Sequence, residues 1–120
     1  MTEVKDSEAM LRACYTAFNA RDLDGVLPLL HPDVVWPNGW EGGWIEGRGG
    51  VSEYWRRQWA AIDPHVEIRG FTHDAAGRVI VSVHQVVHDL NGTLLVDQMV
   101  EHAYDIVDGL IRRMEILTKS

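Results

Sequence analysis

The chain has 120 residues, enough for one domain with a sizeable core but not for two. Its 46% apolar and 24% charged residues are an ordinary globular mix, which excludes disorder and fibrous repeats. The net charge of −7 argues against a surface that binds nucleic-acid phosphates, because such surfaces carry clustered Lys and Arg.

In chain order, the polar start from Met1 to Asp6 does not read as a secretory signal, and no apolar run approaches the roughly 20 residues that span a bilayer. The expected location is therefore cytoplasmic. Met10, Leu11, Cys14, Ala17 and Phe18 recur at helical spacing and predict a helix over about 6–20. Cys14 is the single cysteine, so there is no intrachain disulfide and no cysteine-based zinc cluster. A second, short helix starts at Asp22 or Asp24, buries Val26, Leu27, Leu29 and Leu30, and ends before Pro32 with His31 at its C-terminus. A short strand, Val34–Trp36, leads into a Trp- and Gly-rich loop from Pro37 to Trp44. A third helix is predicted over about 50–62, broken by Asp63-Pro64.

From there the period changes from helical to extended. Residues 65–72, 78–89, 94–107 and 110–117 read as strands separated by turn residues, giving an α+β domain with a mainly antiparallel sheet. Asn91-Gly92 is a strong hairpin signal. A two-residue turn there sets Ser82 opposite Glu101, His84 opposite Met99, Val86 opposite Asp97 and His88 opposite Leu95, all on one face. The other face collects Val79, Val81, Val83, Gln85, Val87, Val96, Gln98, Val100, His102 and Tyr104. Either the valine face lies under the helices, or the histidine face does and the valines meet a second subunit. The pattern alone leaves both open and leans towards the first.

The histidine face holds the residues best suited to chemistry. His84 lies diagonally from Asp97 and Glu101, within side-chain reach, and a histidine paired with a carboxylate can move a proton near neutral pH. A polar network that only shapes a binding pocket is the plainer reading of the same residues. His84 and His88 are four residues apart on a strand, about 13 Å, too far to share one metal ion. No metal and no cofactor are expected. His65, His73 and His102 are assigned to the outer surface or a subunit interface.

The stretch from Tyr15 through Arg21-Asp22-Leu23-Asp24-Gly25-Val26, then His31-Pro32-Asp33-Val34, resembles the opening of the nuclear transport factor 2-like superfamily. So do Glu101-His102-Ala103-Tyr104 and Asp108-Gly109-Leu110-Ile111. The nearest branches are the ketosteroid isomerases and the SnoaL-like polyketide cyclases. The resemblance implies three N-terminal helices on a curved sheet, forming a cone around a pocket, with a homodimer through the sheet's outer face. It favours the histidine face inside the pocket. The isomerases' catalytic Asp is matched by Asn38, which cannot take up a proton at ordinary pH. Their first-helix Tyr is matched by Cys14, with Tyr15 one step away, and their second oxyanion donor by Glu101. Standard steroid isomerisation is therefore not expected.

These readings converge on a single domain over 1–120 that takes up a small, partly apolar organic molecule, with or without cofactor-independent acid–base chemistry (isomerisation, cyclisation, dehydration or hydrolysis). A non-catalytic binding module or a protein-interaction domain is the alternative. The expected catalytic residues are His84, Glu101 and Asp97. The expected ligand-binding residues are Cys14, Tyr15, Trp36, Asn38, Trp40, Tyr54, Ser82, Val86, His88, Met99 and Met114. The Trp-Gly loop over 36–48 would either close the pocket over a flat ligand or simply plug the domain.

Overall fold

The computed structural model describes residues 2–39 and 42–117, with side chains from Asp6 onward. Helix α1, Thr2–Asn19, turns Leu11, Cys14 and Tyr15 inward along the stripe predicted for it. Its last residue is a pin. The Asn19 amide donates to the Val66 carbonyl at 2.7 Å and accepts from the Val66 N–H at 3.0 Å, satisfying both main-chain groups of a strand residue. Asp22 caps the short helix α2, Leu23–Val26, by accepting from the Gly25 N–H at 3.1 Å. A 3-10 turn, Leu27–Leu29, follows.

Strand β1, Leu30–Pro37, is longer than the local pattern indicates. Leu30 pairs in parallel with Ile111, a partner some eighty residues away that no local window contains. His31 is therefore in a strand and not at a helix end; its Nδ1 accepts from the Asp33 N–H at 3.0 Å. Pro32 falls in the interval between Leu30 and Val35 where the ladder is irregular, the setting in which a strand tolerates proline. The expected loop contains strand β2, Trp44–Glu46, antiparallel to β1. Trp40, expected to bind ligand, lies outside the described residues.

Helix α3, Gly47–Ala61, is followed by β3, Ile62–His73, β4, Val79–Asp89, β5, Leu94–Val107, and β6, Leu110–Leu117. Pro64 sits within β3 and does not break it, because β3 is an edge strand of a sheet ordered β2-β1-β6-β5-β4-β3. Among the described residues, only β1 and β6 run parallel. The domain is α+β, three helices on a six-stranded, mostly antiparallel sheet.

The β4–β5 hairpin reaches the expected register by a different route. The Asp89 N–H donates to the Thr93 carbonyl at 2.8 Å, so the loop has three residues and not two. Gly92 adopts φ 91°, the left-handed position of a three-residue hairpin. That displaces the pairing by one residue, and His88 faces Leu94. An irregularity after Val87 absorbs the shift, and from Val87–Val96 to Val79–Tyr104 the pairs are those a two-residue turn would set.

The orientation of this sheet is the one the residue pattern leaned towards and the opposite of the one the resemblance favoured. Val79, Val81, Val83 and Val87 are at most 6% exposed and pack beneath the helices, whereas Met99 on the other face is 47% exposed. Burying a valine stabilises by about 1.5–3 kcal/mol, while an ionised carboxylate taken from water without a partner costs several. With Asp97 and Glu101 among the residues of one face and an almost unbroken row of valines on the other, packing puts the valines inside. Val83, Gln85 and Val100, on the face that the resemblance turned towards a second subunit, accordingly face the domain's own interior.

Candidate functional site

Between the helices and the valine face lies a cavity of about 440 Å³, within the usual range for small-molecule sites. Its aromatic wall is built from two elements. Trp36 of β1 and Trp55 of α3 meet edge to face, with centroids 5.1 Å apart at 88°, and Phe18 of α1 meets Trp55 at 5.4 Å. Polar groups enter from Tyr54 and Gln58 on α3, Gln85 on β4, and Gln98 and His102 on β5. The Tyr54 hydroxyl accepts from the Gly39 N–H at 3.2 Å, which ties α3 to the rim after β1. The Gln98 amide donates to that of Gln85 at 2.9 Å. No described lining residue carries a formal charge.

Beside this cavity a second, smaller chamber of about 50 Å³ is lined by Cys14, Tyr15, Phe18, Trp36, Trp55, Val66, His102 and Tyr104. Here Tyr15 Oη lies 2.6 Å from His102 Nδ1 and 2.7 Å from Tyr104 Oη. All three side chains are buried. Burial pushes His102 down to about 4, since the low-dielectric surroundings penalise the imidazolium. Burial likewise holds both tyrosines well above the usual phenol range, and raises the Cys14 thiol to about 12. At neutral pH the cluster is an uncharged hydrogen-bonded chain beside an inert thiol. His102 lines both chambers and connects them.

The expected site residues divide between the two sides of the sheet. Tyr15, Trp36, Tyr54 and Met114 line one or both chambers, and Cys14 lines the inner one. Asn38 does not line the cavity; its carbonyl accepts from the Gly42 N–H at 3.0 Å in a turn at the mouth. His84, Asp97 and Met99 lie on the convex face, away from the cavity. Ser82, Val86 and Glu101 share that face through strand alternation. The dyad itself does form there. His84 Nε2 and Asp97 Oδ1 are 2.7 Å apart, and Arg69 approaches His84 Nδ1 at 3.2 Å. It sits on a solvent-facing sheet surface, in a shallow, open depression lined by Arg69, His84, Asp97, Gln98 and Met99. His88 borders a separate open groove with Arg21, Trp59 and Asp63.

His102, assigned above to the outside, is the histidine that faces the interior. Its position was recoverable from the register, which puts it on one face with Val81, Val83 and Val100. Tyr104, Gln85 and Gln98 were missed for the same reason, whereas Trp55 and Gln58 lie on α3, where the helical period marks a buried stripe but not which of its residues border a cavity. The resemblance had been carried onto Glu101, one residue from the strand position that points inward. No group of three or more His, Cys, Asp or Glu side chains capable of holding a metal occurs among the described residues.

A match to the SnoaL-like domain covers residues 11–114, nearly all of both sheet and helices. The chain belongs to the SnoaL-like family. Its fold is that of the nuclear transport factor 2-like superfamily. TerC, co-crystallised with polyporic acid, is 26% identical with a TM-score of 0.82, covering 95% of this chain and 92% of its own. A nuclear transport factor 2-like protein of unknown function from Burkholderia pseudomallei is 25% identical with a TM-score of 0.81, covering 95% and 91%. A Mycobacterium tuberculosis protein in complex with estradiol-17β-hemisuccinate shares the fold at 17% identity, with a TM-score of 0.80 and coverage of 95% and 94%. No protein of curated function matches the sequence. Among the described residues, no helix of this SnoaL-like chain is long and apolar enough to cross a membrane.

Proposed function

We propose that this SnoaL-like protein binds a small, uncharged, partly aromatic organic molecule in the cavity between helices and sheet. The observation that carries the reading is the lining: tryptophan, tyrosine and phenylalanine surfaces with neutral amides and a neutral histidine, and no formal charge among the described residues. An ionised ligand would leave water with no opposite charge to meet it, a cost of several kcal/mol. The co-crystallisation of TerC with polyporic acid supports an organic ligand for a chain of this fold. A larger groove, about 630 Å³, is bordered by the carboxylates Asp6 and Asp108 and has no aromatic side chain other than His73 in its lining, and is less suited to such a molecule.

Acid–base chemistry without a cofactor is a second reading, supported by the Tyr15–His102–Tyr104 chain beside the cavity. Its chemistry would be hydrogen-bond donation to a carbonyl oxygen as charge develops there, as in an oxyanion hole. No carboxylate among the described lining residues is placed to act as the base, so proton removal would have to fall to a group of the substrate or to water. The homodimer belongs in this proposal too, now through the convex face around Met99; a monomer in sedimentation velocity would remove it.

The test compares 2-acetonaphthone with 2-naphthoate, nearly equal in shape but neutral and anionic, by quenching of tryptophan emission. The ketone is expected to bind at least about tenfold more tightly, a conservative reading of the desolvation cost. Val100→Trp, which fills the cavity, should abolish the binding. Equal affinities, or binding undiminished in Val100→Trp, would remove the cavity from consideration.

A further inference from the structure

His102 has two ring nitrogens, and only one is committed. Nδ1 meets Tyr15 Oη at 2.6 Å, while Nε2 makes no hydrogen bond to any described residue. Nor is Nε2 sealed away: the one buried side-chain nitrogen or oxygen without a partner among the described residues is Trp59 Nε1. His102 also lines the larger cavity, so Nε2 is the nitrogen offered to whatever enters it.

Which nitrogen carries the proton follows from counting hydrogens. Three are available, one on each phenol and one on the neutral ring. In the first arrangement Tyr104 donates to Tyr15, Tyr15 donates to His102 Nδ1, and the ring hydrogen sits on Nε2. Every buried hydrogen then has an acceptor except the one that faces the cavity. In the second, Nδ1–H donates to Tyr15 and Tyr15 donates to Tyr104. The Tyr104 hydroxyl hydrogen is then left over. Tyr104 is 1% exposed and its hydroxyl has no described partner but Tyr15, so that hydrogen would be buried and unpaired, the costly case. Without Tyr104 the first arrangement would still win, because Tyr15 would otherwise hold the orphan. The group that decides is therefore Tyr15.

We infer that Tyr15 is a positioning residue that locks His102 as the Nε2–H tautomer, so that the cavity presents a fixed hydrogen-bond donor and selects ligands bearing an acceptor oxygen, a ketone or quinonoid carbonyl in preference to a hydrocarbon of the same shape. The selection rests on the cavity reading above; the lock does not, and it is a property of the empty protein.

Long-range ¹H–¹⁵N correlation spectra of the uniformly labelled protein at neutral pH read the lock directly. The expected His102 pattern is a pyridine-type Nδ1 and a pyrrole-type Nε2. Tyr104→Phe should keep that pattern, whereas Tyr15→Phe should move both nitrogens toward intermediate values as the two tautomers mix. The two variants delete the same atom from the same cluster, so a general loosening would affect both alike. A pyrrole-type Nδ1 in the parent protein, or an unchanged pattern in Tyr15→Phe, overturns the lock. For selection, the probes are 2-acetonaphthone and 2-isopropylnaphthalene, which lacks the oxygen. The ketone should bind about tenfold more tightly and shift Nε2, because the hydrocarbon leaves the donor unpaired. Equal affinity with the expected tautomer overturns the selection. If neither probe binds while the tautomer is as expected, it is the cavity reading that fails and the lock that stands.

Discussion

His102 is held neutral by its surroundings, and that has a measurable consequence for stability. The folded chain titrates it at about 4, against an ordinary value of 6.5. Between those values the unfolded chain binds the extra proton and the folded chain does not, so stability rises with pH through that window. The contribution is complete above about 6.5 and is lost as the pH falls toward 4, and a gap of that size corresponds to roughly 3 kcal/mol. In urea unfolding, the stability difference between the parent and His102→Gln should therefore shift against the parent as the pH is lowered from 7 to 4.5. A constant difference would mean that His102 takes up its proton while folded. Cys14, raised to about 12 by burial, should resist iodoacetamide at pH 8 in the folded protein and react once urea unfolds it, as mass spectrometry would register. Tyr15→Phe should cost about 1–3 kcal/mol, since it leaves the Tyr104 hydroxyl hydrogen without its acceptor.

The β4–β5 hairpin shows how an element can be right in outcome and different in construction. Asp89 organises the loop: its Oδ1 accepts from the N–H groups of Asn91 at 2.8 Å and Thr93 at 2.9 Å. Asp89→Ala should lower the melting temperature by several degrees, about 1 kcal/mol in a domain of this size. Gly92→Val, with a β-branched residue forced to φ 91°, should do at least as much. Neither should change the contacts from Val79 to Val87, because the irregularity after Val87 isolates them from the loop. The four long extended segments were legible because period-two patterning and glycine turns are local signals. β2 and the first half of β1 were not, because each exists only through pairing with a distant strand.

At the scale of the whole molecule, the composition and the periods of the sequence by themselves determined the α+β class, helices first and strands after, and the pairing of β4 with β5. They also determined that two faces of that hairpin differ in kind, one valine-rich and one bearing His84, Asp97 and Glu101. Which face the helices cover was decided only in the tertiary structure. Strand alternation sorts residues into two sets but carries no sign, and a one-residue error in matching a relative exchanges the sets completely. The sign comes from the balance of burial: helices α1 and α3 bring apolar surface that must be covered, and the valine row can cover it without stranding a charge. Once that choice is made, Tyr15 from the first helix and His102 and Tyr104 from the fifth strand meet across nearly ninety residues of chain. No local pattern could contain that contact, because it exists only where the helix is laid against the sheet.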